Sequence, residues 1–252
     1  MKPRKAILRH IAEAGRKGLR AARQNLPAML GIQVLIVGIV ALYYACPPTR
    51  PFFTQISGWQ RAGGLPAAML ASACGAGLLS EISAVYFQNS GRWTRTHVEG
   101  AVFKFLLYFF SGGTVYEFYR LQAFMFGDSP AWPVVLKKLL VDQLGFTIVW
   151  SVPMQSLALR WHALHYSGRA LGRELRGDFI LDRMLPVLVT NWSFWIPGVI
   201  LVYLMPYPLQ MPLAIFATAI WVLLLTALSR HQEAPVAVAP DLFLPEIGEP
   251  EA

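Results

Sequence analysis

Charged side chains are scarce in this chain. Asp, Glu, Lys and Arg make up 14% of its 252 residues and hydrophobic residues 55%, a balance that excludes an ordinary soluble domain of this length and reads as a membrane protein. Cysteine is nearly absent. Cys46 and Cys74 stand in or at the end of apolar runs with no CxxC or Cys/His spacing, so neither a disulfide framework nor a zinc site is expected, and both read as small packing residues. Catalytic signatures are missing too. Neither GxSxG nor HExxH occurs, and the membrane histidines and carboxylates lack the second and third partners that catalysis needs, so no enzyme and no cofactor is expected. His162 and His165 have no third ligand at suitable spacing, so no metal site is expected either. Acidic residues are outnumbered, giving a formal charge of +8. The excess flanks apolar runs, which speaks of orientation in a bilayer rather than of nucleic acid.

Hydroxyl residues are absent from the beginning of the chain: no Ser or Thr precedes Thr49. A mitochondrial transit peptide is Arg-rich and acid-poor like this segment but usually also Ser-rich, so residues 1–26 read as a retained basic arm. A helix there sets Arg9, Arg16, Arg20 and Arg23 on one side and Leu8, Ile11, Ala12 and Leu19 on the other. That is the pattern of an amphipathic helix lying on anionic lipid headgroups.

Six apolar runs follow. Pro27 to Cys46 is uncharged and stopped by Pro47 and Pro48, and the connection beyond it, up to Gly64, reads as an aromatic, weakly charged loop. Leu65 to Phe87 carries Ala68, Ser72, Ala76, Ser80 and Ala84 at four-residue spacing, a small-residue stripe that lets another helix approach closely. Glu81 beside it either contributes to an internal polar site or, the preferred reading, snorkels or forms a structural pair. Ala101 to Tyr119 contains Gly112 and Gly113, read as a close-packing pair, and the loop Gln122 to Pro133 leads to the fourth run, Val135 to Leu159. The polar segment Arg160 to Asp182 precedes Leu185 to Met205, where Pro186, Asn191 and Pro197 predict a kink, and a proline-rich turn leads to Leu213 through Ser229. The fold class expected is all-α: a polytopic bundle of about six transmembrane helices over residues 27–230, with residues 231–252 an acidic, Pro-rich disordered tail. Charge supports the count. With six crossings the arm, Arg92, Arg95, Lys104, the arginines from Arg160 to Arg183 and Arg230 share one face, leaving Arg50, Arg61, Arg120, Lys137 and Lys138 opposite, so both termini are expected on one side.

The fourth run organises the rest. It is long enough to cross a bilayer yet carries Asp142 and Gln143, and a carboxylate at mid-bilayer costs about 2.5 to 3.5 kcal/mol, so Asp142 must face protein or water. Lys138 lies one turn earlier on the same face. The two either neutralise each other at the membrane edge or line a solute path. Glu117 and Arg120, at the end of the third run, are expected to join Lys138, Asp142 and Gln143 in one polar cluster of the same leaflet.

At VDQLGF (Val141 to Phe146), preceded by KKLL, and again at NWSFWIPG, the chain resembles the Mpv-seventeen and twenty-two-kilodalton peroxisomal membrane protein family. The likeness covers about residues 65–229. Lys137, Asp142, Gln143, Phe146, Trp192, Trp195, Pro206 and Trp221 stand at that family's motif positions, and Gly113 to Leu121 resembles its Gly-Pro segment, with Thr114 and Phe118 in place of Pro and Trp. Ser80 and Glu81 stand where the family has Gly-Asp. Val199, Val202 and Tyr203 replace its intramembrane Gln and Asn-Phe.

The resemblance implies an integral protein of the mitochondrial inner or peroxisomal membrane, or of the cytoplasmic membrane in a prokaryote, associated with metabolite permeation. From the residues themselves the expectation is a pore or permease for small solutes, with a structural or assembly protein as the alternative. The partners expected are the bilayer, anionic headgroups and a small solute, with a homo-oligomer open and no nucleic acid.

Overall fold

A backbone surrounded by apolar side chains must satisfy its own N–H and C=O groups, and the helix does so locally. The computed structural model describes residues 4–176 and 179–229, which form helices joined by short turns and loops, with no strand among the described residues. Residues 1–3 of the arm, Asp178, Arg230 and the tail expected at 231–252 lie outside the described residues. Four helical stretches are long and apolar enough to cross a membrane: Leu26–Ala45, Pro47–Phe87, Arg95–Phe126 and Ile180–Leu204, with Tyr207–Leu223 apolar but shorter. The run Val135 to Leu159 is helical but is not one of the four, because Lys137, Lys138, Asp142, Gln143 and Gln155 dilute its apolarity.

The helices are α1 (Arg4–Gln24), α2 (Leu26–Ala45), α3 (Arg50–Ser72), α4 (Leu79–Gln88), α5 (Arg95–Phe126), α6 (Trp132–Leu140), α7 (Val152–Ala163), α8 (Gly168–Leu175), α9 (Leu185–Leu204) and α10 (Tyr207–Ser229). π-helical stretches at Ala73–Leu78, Val141–Ser151 and Ile180–Met184 join α3 to α4, run α6 into α7, and lead into α9. Two of them have a proline two residues beyond their end, Pro153 and Pro186. A proline cannot donate to the carbonyl four residues back and its ring pushes that carbonyl away, so the preceding turn widens.

Helix α1 docks through small residues. Ala14, Gly18 and Ala22, spaced by four, are buried against α9, where a Cβ on Gly18 would lie 2.6 Å from the Pro186 carbonyl oxygen. Thr190 Oγ1 donates to the Gly18 carbonyl at 3.1 Å, and His10 Nε2 meets Asp182 Oδ1 at 2.5 Å. Leu8, Ile11, Ala12 and Leu19 stay exposed beside the arginines, so the arm has a third, docking face that its charge pattern does not reveal.

The connection expected as a loop up to Gly64 is helical instead. Thr49 Oγ1 donates to the Leu42 and Cys46 carbonyls at 2.7 and 2.8 Å, turning the chain into α3. That helix breaks at Gly64 (φ 52°, ψ −140°), a conformation glycine takes without steric cost, and Pro66 removes a further ladder bond. Cys74 points outward rather than packing. Beyond the kink, Ala68, Ser72 and Ala76 are buried against α5. A Cβ on Gly112 would fall 2.4 Å from Ser72 Oγ, and one on Gly77 would fall 2.7 Å from the Lys104 carbonyl oxygen. Stripe and glycine pair are thus two sides of one close crossing. Helix α5 continues to Phe126, which shortens the loop expected from Gln122 to Pro133 to residues 127–131.

Helices α2, α9 and α10 share a core in which Ile32, Ile36, Val202 and Ala217 are fully buried and Phe194 stacks on Trp221 at 4.6 Å. Pro197 interrupts the ladder inside α9, and Gln33 of α2 donates to the neighbouring Phe194 carbonyl at 2.8 Å. Large apolar side chains such as Val34, Phe110, Phe124 and Val149 point outward. Surface of that kind is stable only against lipid or another protein.

Candidate functional site: a polar stripe along α6 and α7

At 3.6 residues per turn, side chains five apart diverge by about 140° around a helix. In the π-helical stretch Val141–Ser151 the wider turns bring such residues together. Thr147 Oγ1 donates to Asp142 Oδ1 at 3.3 Å. The result is one buried line, Lys138, Asp142, Thr147, Val152, Ser156 and Arg160, that keeps its azimuth from α6 through α7. All but Val152 are polar. From Lys138 to Arg160 the helix rises about 30 Å, which matches the hydrocarbon thickness of a bilayer. Leu144, Ile148 and Val149 occupy the opposite, exposed side.

Asp142 is satisfied by neutral donors. Gln143 Nε2 donates to Oδ1 at 3.1 Å, and the Tyr203 hydroxyl of α9 donates to Oδ2 in a short hydrogen bond while accepting from Gln122 Nε2 of α5 at 2.7 Å. Three segments of chain therefore meet at one carboxylate. Two acceptors in the network, Gln122 Oε1 and Gln143 Oε1, are buried without a partner. Lys138 is 1% exposed and does not pair with Asp142; its ammonium sits 5.7 Å from the centre of the Tyr203 ring, within cation–π reach.

The expected five-residue cluster divides into two. Lys138, Asp142 and Gln143 are buried, whereas Glu117 and Arg120 form their own ion pair at 2.8 Å, with side chains 39% and 66% exposed. The reason is helical phase: from Tyr119, buried edge-on against Tyr203 at 5.5 Å, Glu117 and Arg120 turn away toward Tyr207. A cavity of about 30 Å³ lies among α3, α5 and α10, lined by Gln60, Arg61, Tyr116, Tyr119, Tyr207 and their neighbours. It holds a water molecule or two, not a metabolite.

Four motif positions, Lys137, Asp142, Gln143 and Phe146, lie on α6 and the π-helical stretch after it, and the other four on α9, α10 and the turn between them. Phe146 stacks on Phe118 at 4.1 Å, and Trp192 Nε1 donates to the Gln143 carbonyl at 3.1 Å. Phe194 is stacked by Trp221 and met edge-on by Trp195 at 5.0 Å. Pro206 offers its carbonyl to Leu209 N–H at the start of α10, while Lys137 is exposed. Tyr203 corrects the expectation that this part of α9 has lost its polar groups, since its hydroxyl reaches the carboxylate.

A second buried carboxylate lies at the other end of the bundle. Glu81 is held between Lys104 Nζ and His97 Nδ1, both at 2.7 Å, and the Gly100 backbone approaches so closely that a Cβ there would be 3.2 Å from the carboxylate. Glu81 is thus a structural pair, not a snorkelling group. Nearby, buried Arg160 ends the stripe by gripping Glu174 of α8 through Nε at 2.7 Å and Nη2 at 2.5 Å. That hydrogen bonding holds the Glu174 carboxyl below its ordinary range.

Thr147, Ser156, Arg160, Gln122 and Tyr203 are site residues that the sequence reading did not assign. A five-residue step from Asp142 ahead of Pro153 is the signal for Thr147, while Ser156 and Arg160 fall near the face of Asp142 at ordinary helical spacing. Scans of the chain against protein-family models, curated proteins and solved structures return no match.

Proposed function

We propose that this chain is a multi-pass membrane protein that passes small polar solutes along the stripe of α6 and α7. The observation that carries the reading is a buried line of five polar side chains the length of a hydrocarbon core, with two unpartnered acceptors beside its carboxylate. An ionisable group inside an apolar bundle is costly, and marking a substrate or ion pathway is its commonest use. In this reading six helices cross and both ends share a face. Contacts at the two ends of the bundle support it: His10 meets Asp182 and Phe103 stacks on His162 at one end, while Tyr44 donates to the Leu204 carbonyl and Tyr207 N–H donates to Asp128 at the other. Each contact joins segments that six alternating crossings assign to one side. The exposed Leu8, Ile11 and Leu19 beside Arg9, Arg16 and Arg20 suit α1 to an anionic leaflet. The ordered motif residues from Lys137 to Trp221 remain the basis for proposing membership of the Mpv-seventeen and twenty-two-kilodalton peroxisomal membrane protein family, and a mitochondrial inner, peroxisomal or bacterial cytoplasmic membrane follows from that proposal alone.

The second reading is a structural or assembly protein without a path. It is favoured by the internal bonding of Asp142 and by a cavity too small for a metabolite. Leakage of graded neutral and anionic solutes from liposomes containing the purified chain separates the two. Size-limited leakage above that of empty liposomes is expected, and none at any solute size leaves the structural reading.

A further inference from the structure

Lys138 is the least satisfied charge in the bundle core. An ammonium carries three donors and is strongly hydrated in water, so burying it is favourable only with anionic or several polar partners. Here the side chain is 1% exposed, yet among the described residues it makes no hydrogen bond and no ion pair. Asp142, one turn further along the helix, is engaged by Tyr203, Thr147 and Gln143, and the Tyr203 phenol stands between the two charges. The acidic group acting on Lys138 is Asp128, an exposed loop residue whose Oδ1 already accepts from Tyr207 N–H at 2.8 Å. A ring face and a solvent-screened carboxylate do not replace the hydration of an ammonium.

We infer that the Lys138 ammonium is an anion-binding site that takes a small carboxylate or phosphate group at the end of the stripe. This rests on the proposed permeation role in one respect: it assigns that path an anionic solute. Other cations lie toward the same end of the bundle: Lys137 is exposed beside Lys138, Arg61 lines the cavity at Tyr119 and Tyr207, and Arg120 near Tyr207 is paired with Glu117. The same chemistry has two sources, a dissolved anion or the phosphate of a lipid headgroup, because Trp132 and Lys137 at the exposed start of α6 are residues suited to the headgroup region.

Equilibrium dialysis of radiolabelled inorganic phosphate against the delipidated full chain in a neutral sugar detergent tests the site. Saturable binding is expected, weakened at least about tenfold by Lys138→Met and kept within about threefold by Lys138→Arg and by Arg92→Gln, an exposed residue of the turn before α5. Phosphatidylglycerol displacing phosphate where phosphatidylcholine does not identifies a headgroup as the occupant; no displacement identifies a dissolved anion; either keeps the anion site. Absence of saturable phosphate binding, or equal binding by Lys138→Met, overturns it. Without phosphate Lys138→Met is expected to melt at or above the wild-type temperature, since it removes an uncompensated charge. A clearly lower melting temperature means that the protein neutralises the ammonium itself, and also overturns the proposal. Binding is read without flux, so leakage with no phosphate site rejects the anion alone, and a phosphate site with no leakage rejects permeation alone.

Discussion

Tyr203 turns its ring face to the Lys138 ammonium and its hydroxyl to the Asp142 carboxylate, so a phenol holds apart two opposite charges one helical turn from each other. A direct ion pair there would close the stripe on itself. With the tyrosine interposed, the lysine makes no hydrogen bond among the described residues and the acid is bonded only to neutral groups.

That arrangement predicts the cost of removing one oxygen. Tyr203→Phe deletes the donor to Asp142 and the acceptor for Gln122 Nε2, and a lost bond to a buried charged group is expected to cost about 1.5 to 3 kcal/mol. Tyr86→Phe removes an exposed hydroxyl on α4, away from that network, and serves as the control. Thermal unfolding in detergent compares them, and equal melting temperatures for the two variants would refute the network's contribution.

The crossing of the small-residue stripe with α5 predicts a contrast between glycines. Gly112→Val drives atoms into Ser72, since even a Cβ would be 2.4 Å from its Oγ, and overpacking of this kind costs about 1 to 3 kcal/mol or more. Gly38 in α2 has nothing within 4 Å of such a Cβ. Gly38→Ala is therefore expected to stabilise by up to about 1 kcal/mol through helix propensity alone. Chemical denaturation of the two variants checks the opposite signs.

These features differ in how far the sequence discloses them. Four-residue spacing of Ala68, Ser72 and Ala76, and the adjacent glycines 112 and 113, announce a close helix crossing because backbone approach depends only on side-chain size. The length and apolarity of Leu26–Ala45 announce a helix long and apolar enough to cross a membrane for the same kind of reason. Ser156 and Arg160 return close to the face of Asp142 at 3.6 residues per turn, but Thr147, ahead of them, lies about 140° away unless the helix widens, so the unbroken line is not legible in the sequence. Nor was Gly64 read as a kink inside a helix, because a glycine and a nearby proline in a weakly charged segment signal a loop equally well. Pairing choices were the least visible: Glu117 and Arg120 satisfy each other within one turn, which removes any need for them to reach Asp142.

At the other end, Glu81 joins Lys104 and His97, and single substitutions should be strongly non-additive. Glu81→Gln leaves Lys104 without its carboxylate; breaking a buried pair costs about 3 to 5 kcal/mol, and the partial exposure of Lys104 and His97 moves the expectation toward about 2. Adding Lys104→Gln should restore part of that loss. A double-mutant cycle by thermal unfolding measures it, with additive losses as the contrary result.

Acid sensitivity should appear at the Arg160–Glu174 pair. Hydrogen bonding from Arg160 lowers the Glu174 pKa in the folded protein, so the folded state holds a proton there less readily than the unfolded chain does. The pair's stabilisation is therefore fully present above the ordinary Glu pKa of about 4.3 and is lost as pH falls through the lower folded value. The gap in melting temperature between wild type and Glu174→Gln should be widest near neutral pH and shrink below about pH 4. A gap independent of pH would mean that the pair adds packing but no charge-linked stability.

The stripe itself makes the last prediction. Asp142→Asn preserves size and one carbonyl acceptor, so Thr147 and Gln143 keep a partner on Oδ1 while the amide nitrogen replaces Oδ2 opposite Tyr203. Tyr203 can then rotate its hydroxyl to accept from that nitrogen, and Gln122 becomes the member that must re-pair. Such a shift within neutral donors and acceptors is expected to cost no more than about 1.5 kcal/mol. The field along the stripe changes far more, because the carboxylate between the Lys138 and Arg160 ends has been removed. If solutes move past Asp142, leakage through reconstituted liposomes should change at least about tenfold, equivalent to about 1.4 kcal/mol at the barrier, with the melting temperature nearly unchanged. Unchanged flux with a melting temperature lowered by several degrees would assign Asp142 to the structure of the bundle and not to a path through it.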